Sequence, residues 1–326
     1  MNRKEQRIIM ALIAVSAWAV PAAAQEYPSK PVALMVPFAA GGPTDTVARV
    51  LGQAMGKVLK QTIIVENTVG AGGTIAPMRL KSATPDGYTL LLAHIGMSTA
   101  PALYKTLPFK PLEDFEYIGQ VVDVPMTLIA KQDMPARDLK ELLAYIKANK
   151  DKISFANAGV GSASHLCGLL FMSTIEVDLT TVPYKGTAPA LNDLLGGQVD
   201  LLCDQTTNTT PYIKAGRVKA YGTTSKTRLE TLKDLPPLAE AGLPGFEVVV
   251  WHGVYAPKGT PRPVLDKLVA ALQAAIKDPA FVQRMSDLGA QVVTTEKATP
   301  EALRSHLKAE IDRWTPIIKK AGVYAE

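Results

Sequence analysis

Val32-Ala33-Leu34-Met35-Val36-Pro37-Phe38-Ala39-Ala40-Gly41-Gly42-Pro43-Thr44-Asp45 is the stretch that decides the fold. Val32 to Val36 is a continuous apolar run stopped by Pro37. Such a run suits a strand buried on both faces, as in a parallel sheet covered by helices, rather than a half-exposed strand with alternating residues. Beyond the glycines, Val47, Leu51, Ala54, Met55 and Val58 recur at helical spacing. Strand, glycine turn and helix start in this order form the place where open α/β sheets bind ligands. Gly41 and Gly42 let the backbone come close to a ligand, and the free N–H groups of the first helical turn, around Thr44, can donate to an anion. Thr44 or Asp45 can also simply cap the helix, and both readings hold at once. Asp45, whose charge would repel a carboxylate, is assigned a structural role.

The pattern recurs downstream. Gly159-Val160-Gly161-Ser162-Ala163-Ser164-His165 again joins a strand to a helix start, placing Gly161, Ser162, Ser164 and His165 opposite the first loop. Strands are expected near Thr62 to Val65, Tyr88 to Ala93, Ile153 to Phe155, Leu179 to Val182 and Val199 to Cys203. Helices are expected between them. Phe115 to Val122 and Met126 to Ala130 read as extended segments separated by Pro125, and Val248 to Tyr255 as a second crossing. The expected fold is therefore α/β, with two α/β lobes joined by two crossing strands: residues 25–124 and 246–326 in lobe 1, residues 125–245 in lobe 2. Leu303, Leu307, Ile311, Trp314 and Ile318 form a C-terminal apolar stripe that reads as core packing.

Residues 1–24 read as a signal peptide: Arg3, Lys4 and Arg7, then an uncharged apolar run from Ile8 to Val20, then Pro21-Ala22-Ala23-Ala24. The run is shorter than the roughly 20 residues that span a bilayer. Export to the periplasm as a soluble monomer is expected. Without residues 1–24, which hold three cations and Glu5, the formal charge falls from +5 to +3. No basic stripe is visible, so nucleic acid is a poor partner. The two cysteines, Cys167 and Cys203, suit a disulfide in an oxidising compartment, with a pair of buried free thiols as the alternative. Pairing is expected because both fall in one lobe.

Enzyme motifs mostly fail. Gly70-Ala71-Gly72 has Ile75 where the dinucleotide fingerprint needs its third glycine. Gly52-Gln53-Ala54-Met55-Gly56-Lys57 is one residue short of a phosphate loop. Gly96-Met97-Ser98-Thr99-Ala100 approaches a nucleophile elbow, leaving a secreted serine hydrolase using Ser98 as the alternative function, but Ala100 replaces the second glycine. His94, His165, His252 and His306 show no metal spacing, and no cofactor is implied.

Taken in order, several motifs resemble the Bug family of periplasmic binding proteins, which serve tripartite tricarboxylate transporters. They are Tyr27-Pro28-Ser29-Lys30-Pro31, the Pro37 to Asp45 loop, Gly70-Ala71-Gly72-Gly73 and Thr84-Pro85-Asp86-Gly87-Tyr88-Thr89-Leu90. Pro101-Ala102-Leu103-Tyr104, Val182-Pro183-Tyr184-Lys185-Gly186 and Leu194-Leu195-Gly196-Gly197-Gln198-Val199-Asp200 follow. Glu240-Ala241-Gly242-Leu243-Pro244-Gly245-Phe246 and Ala256-Pro257-Lys258-Gly259-Thr260-Pro261 complete the series. The resemblance covers essentially the whole chain after residue 24. It implies a type II periplasmic-binding-protein fold and no enzymatic activity. It also implies a cleft that holds a small carboxylate through backbone amides and ordered waters, and delivery to the membrane components of such a transporter or to a sensor. Phe38, Ala40, Gly41, Gly42 and Thr44 would grip the ligand from one lobe, and Gly161, Ser162, Ser164 and His165 from the other. Tyr184, Gly186 and Asp204 would shape the far side. His94 and the polar run Cys203-Asp204-Gln205-Thr206-Thr207-Asn208 depart from the pattern. They leave the ligand open among di- and tricarboxylates, an aromatic dicarboxylate such as a phthalate isomer, and an amino acid.

Overall fold

Residues 26–322 and 324 are described by the structure, a computed structural model. The segment read as a signal peptide lies outside them. The strands in chain order are β1 (Val32–Val36), β2 (Ile63–Asn67), β3 (Thr89–His94), β4 (Phe115–Ala130) and β5 (Ser154–Asn157). They continue with β6 (Thr180–Pro183), β7 (Leu201–Gln205), β8 (Lys219–Thr223), β9 (Val249–Pro257) and β10 (Gln291–Val292). The helices are α1 (Pro43–Leu59), α2 (Ile75–Lys81), α3 (Gly96–Leu103), α4 (Leu139–Asn149), α5 (Ala163–Ile175) and α6 (Thr187–Leu195). After these come α7 (Thr206–Lys214), α8 (Leu238–Ala241), α9 (Arg262–Ala275), α10 (Pro279–Asp287) and α11 (Pro300–Ala321).

The strands join in the order β2-β1-β3-β9-β4-β7-β5-β6, with β8 and β10 also pairing with β4. In the first half β1 runs parallel to β2 and β3, and β9 runs antiparallel to β3 and β4. In the second half β5 is parallel to β6 and β7. One strand belongs to both halves. Phe115 to Pro125 of β4 pair with β9, and Met126 to Ala130 pair with β7. The two extended segments expected around Pro125 are thus a single strand. Pro125, which has no N–H to give a ladder, sits at the junction of the two pairings.

The chain crosses from one half to the other twice, and Thr224 ties the crossings together. Its hydroxyl accepts the Met126 N–H at 2.8 Å and donates to the Val248 carbonyl. Its own N–H donates to the Met126 carbonyl. All of these groups are buried, so leaving any unpaired would carry the desolvation cost of an orphaned polar group. The apolar faces fill in accordingly. Val47, Leu51 and Met55 of α1 pack with Leu90, Leu92 and Val254 in the first half. Ile129, Ala156, Leu191 and Leu202 cluster in the second. Leu303, Leu307, Trp314 and Ile318 of α11 are buried in the largest cluster, as the apolar stripe indicates.

Cys167 on α5 and Cys203 on β7 are bonded, with their Cα atoms 6.1 Å apart. The free-thiol alternative is set aside. The bridge joins two of the elements that carry the second half's share of the cavity described below. It closes a loop of 36 residues in sequence separation, for which chain entropy gives a stabilisation of about 4 kcal/mol. Cys167→Ser/Cys203→Ser should therefore lower the urea-unfolding free energy by up to that amount without changing the far-ultraviolet spectrum. An unchanged midpoint contradicts this.

Candidate functional site

The two glycine turns face each other across a void of about 260 Å³ at the junction of the halves. Phe38, Pro43 and Thr44 line it from the first turn, His94 from the end of β3, and Ser162, Ala163 and Ser164 from the second turn. Thr187, Asp204 and Gln205 complete the wall. A second hollow of about 330 Å³, sharing Phe38 and His94, extends toward Gly72, Tyr104 and Gly161. No Lys or Arg lines either space. What converges instead is helix starts. Thr44, Ala163 and Ser164, Thr187, and Gln205 mark the beginnings of α1, α5, α6 and α7. Each start carries partial positive charge and N–H groups that its helix cannot satisfy.

The turns themselves are stiffened by their own side chains. The Gly41 N–H donates to Asp45 Oδ2 at 2.9 Å, Arg49 donates to both Asp45 oxygens at 2.8 and 3.0 Å, and Asn67 Nδ2 donates to Asp45 Oδ1 and to the Phe38 carbonyl at 2.9 Å. Burial opposes the ionised form of Asp45. The hydrogen bonds from Arg49, the Gly41 N–H and Asn67 nevertheless hold its carboxyl below its ordinary value. Asp45 is therefore a structural anchor, as its charge suggests. On the other side Ser162 caps α5 by accepting the His165 N–H at 3.2 Å, and the Gly161 N–H donates to His165 Nδ1 at 3.3 Å. Ser164 Oγ accepts the Ala158 N–H at 2.7 Å.

These bonds correct the expected role of the glycines. The amides of Gly41 and Gly161 are consumed within their own turns, and Gly42 N–H points to the Ala39 carbonyl. Among the described residues no protein acceptor meets the N–H groups of Thr44, Ala163 or Ser164. The donors left for a ligand thus lie two or three residues into each turn. Gly161 instead gives room for contact between the halves, since a Cβ there would sit 3.3 Å from the Tyr104 ring. Gly186 does the same, with a Cβ 2.9 Å from the Ala39 nitrogen. Ala40 is exposed at the rim. Tyr184 lies further out, where its hydroxyl donates to Asp193 at 2.6 Å.

The titratable groups at the void are all shifted by burial. His94 accepts the Gly96 N–H on Nδ1 at 3.0 Å and stacks on Phe38 with centroids 4.9 Å apart. Burial pushes His94 and His165 down to about 4, so both rings are neutral at neutral pH. Accepting on Nδ1 leaves each proton on Nε2. His252, which sequence reasoning passed over, lies opposite His94 on β9 and meets the Thr44 hydroxyl at 3.3 Å. Burial, and then His94, push it well below its ordinary value. It sits in an apolar strand with nothing in its spacing to mark it. Asp204 is buried, accepting the Gln205 N–H at 2.8 Å and Asn208 Nδ2 at 2.6 Å. Burial still drives its carboxyl up to about 7. Ser98 is fully buried, with its hydroxyl donating to the Ile95 carbonyl at 2.7 Å, so it is a packed helix residue of α3 out of reach of a substrate. Among the described residues no group of three or more His, Cys, Asp or Glu side chains could hold a metal ion.

Two α/β halves meeting over a small void, joined by two crossings, make up a periplasmic-binding-protein fold. The chain matches the family described as tripartite tricarboxylate transporter family receptor over residues 47–323, and it belongs to that family. This is a family of solute-binding receptors and not of enzymes. The chain is 57% identical to the periplasmic binding protein BugD, with a TM-score of 0.90 over 92% of this chain and 100% of that one. It is 42% identical to MatC from Rhodopseudomonas palustris, solved with bound malate, with a TM-score of 0.86 over 90% and 100%. An R. palustris protein solved with adipate is 31% identical, with a TM-score of 0.87 over 92% and 99%.

Asp204 yields a test of the site's electrostatics. Its folded-state pKa of about 7 lies above the unfolded value, so the folded chain holds an extra proton between about pH 4 and 7. This term lowers stability as the pH rises through that window. The buried histidines act in the opposite sense, because their lowered pKa values mean that the unfolded chain binds more protons there. The variant must therefore be compared with its parent. Asp204→Asn should gain stability relative to the parent from pH 4 to 8, in denaturant unfolding at matched salt. A difference independent of pH would mean that Asp204 is not shifted.

Proposed function

We infer that this chain captures a small dicarboxylate in the void between its two halves and delivers it to the membrane components of a tripartite transporter. Residues 25–124 and 246–326 act as one lobe and 125–245 as the other, and the exported protein works in the periplasm. The observation that carries this reading is the convergence of four helix starts on a void of about 260 Å³ lined by no Lys or Arg. Main-chain donors fixed in place bind an anion without the ordering entropy of a long cationic side chain. One carboxylate sits on the Thr44 N–H at the start of α1. The other sits on the Ala163 and Ser164 N–H groups at the start of α5, with Nε2–H of His94 a further donor. Neutral histidines add no charge at the void, and burial that raises the Asp204 pKa to about 7 leaves its negative charge only partly present near neutral pH. The bound malate of MatC and the adipate of a second relative are of a size and charge that support it.

The ligand is found by thermal shift across aliphatic and aromatic dicarboxylates, tricarboxylates and monocarboxylates, followed by calorimetry. A four- to six-carbon dicarboxylate should bind one to one and monocarboxylates far more weakly. The donor account is tested at Ala163, the first residue of α5. Proline is tolerated there because that N–H has no partner within the helix, and Ser162 already has the extended conformation that precedes proline. Ala163→Pro removes one donor to a charged group, worth roughly 1.5–3 kcal/mol, so binding should weaken by about tenfold or more. Lys185→Ala, at an exposed position outside the void, should leave affinity nearly unchanged. Loss of binding in Lys185→Ala alongside normal binding in Ala163→Pro would place the capture on a side-chain cation and overturn this reading.

A further inference from the structure

The mouth of the cavity is closed by backbone against backbone. Ala71, Gly72 and Tyr104 come from the first half, and Gly159 and Val160 from the second. The Tyr104 hydroxyl lies 2.7 Å from the Ala71 carbonyl oxygen and 3.1 Å from that of Val160. A phenol has one proton to donate. Burial raises the Tyr104 pKa, so that proton is retained at neutral pH. It can therefore serve a carbonyl in its own half or one across the cleft. Gly72 is the point of nearest approach. A Cβ built there would lie 1.8 Å from the Val160 oxygen, and a Cβ at Gly159 would lie 3.5 Å from Gly72 Cα. The atom in the way at Gly72 is backbone, which cannot swing aside as a side chain can. No other hydrogen bond at the mouth joins the halves except Ala39 N–H to the Lys185 carbonyl, at 3.2 Å, among the described residues.

We propose that Gly72 and Tyr104 form the latch of the cleft: Gly72 leaves the space into which Val160 closes, and Tyr104 sets how long the closed form lasts. The proposal rests on the capture reading above. The two acceptors make the latch reversible. In the closed form the Tyr104 proton is shared between the two carbonyls, and when the halves part it stays with Ala71 alone, so opening gives up only the Val160 share of the bond and leaves no buried donor unpaired. A donor with a partner only across the cleft would hold the ligand against delivery. The opposite side of the cleft is tied differently. Thr206 and Thr210 of α7 donate to the carbonyls of Gly289 and Leu288 at 3.2 and 3.1 Å, and Thr224 joins the crossings. Motion therefore concentrates at the mouth, where the glycines are.

The test uses the full chain with spin labels on Arg79→Cys and Lys147→Cys, exposed positions in opposite halves. Both native cysteines are already paired. Label separation is read without ligand and with malate as the probe, and malate association and release are timed by stopped flow. The parent should populate a short separation, more so with malate. Gly72→Ala, at φ 59° in the left-handed region that disfavours alanine, should melt a few degrees below the parent, stay folded, and lose the short separation even without ligand. Tyr104→Phe should keep both separations and release malate about two- to threefold faster, the effect of losing the Val160 share of one hydrogen bond, with association unchanged. A short separation in Gly72→Ala equal to the parent's, or parental release from Tyr104→Phe, overturns the latch. Failure of malate to bind the parent counts against the ligand reading alone, because the ligand-free separations still decide Gly72.

Discussion

A helix cannot satisfy the N–H groups of its own first turn, and in this molecule four helices begin at one small void. Much of the surrounding structure serves to keep those starts aimed inward. The starts gather at the void because each helix follows directly from the carboxyl end of a strand, the edge at which open α/β sheets bind ligands. The side chains nearest the void are small or neutral, since a Lys or Arg would compete for the same anion and would have to be ordered on binding. Burial also weakens the nearby charges: it keeps His94 and His165 neutral and raises the Asp204 carboxyl to about 7, so that group is only partly ionised near neutral pH.

Charge that cannot be avoided is placed where it stiffens the frame. Asp45 sits at the start of α1, where a negative charge suits the helix dipole, and its oxygens gather Gly41, Arg49 and Asn67. The same carboxylate that would repel a ligand is therefore turned away from it to fix the loop that receives it. The disulfide has an equivalent role in the second half, because it ties the helix that begins at Ser162 to the strand that ends beside Asp204. Rigid halves and a permissive mouth divide the labour of a receptor that must bind tightly and then let go.

Much of this was legible in the sequence. The apolar run before Pro37 and the glycine turns at Gly41 and Gly161 located both walls of the cavity, because strand, turn and helix start leave compositional signals at short range. Other parts were not legible. Helix α7, Thr206-Thr207-Asn208-Thr209-Thr210-Pro211, lacks apolar periodicity and is built from poor helix formers. It is held by tertiary hydrogen bonds to Gly289 and Leu288 that no local pattern announces. Strand β8 was missed because its sequence, Lys219-Ala220-Tyr221-Gly222-Thr223, carries a mid-strand glycine and little apolar character. His252 and Tyr104 owe their positions to pairings between distant segments. The turns offered the amides from Gly41 to Thr44 and from Gly161 to Ser164 as donors, but which of these are taken within the protein depends on where Asp45 and His165 point, which the sequence does not show.

The central claim is that main-chain N–H groups at opposed helix starts hold the anion. Amide chemical shifts report that contact directly. In a titration of the isotopically labelled protein with its tightest-binding dicarboxylate, the largest downfield proton shifts should fall at Thr44, Ala163 and Ser164. Those three amides should also become the most protected from exchange in that region. If they stay unmoved at saturation while the response gathers at Lys185 or other cationic side chains, the account is contradicted.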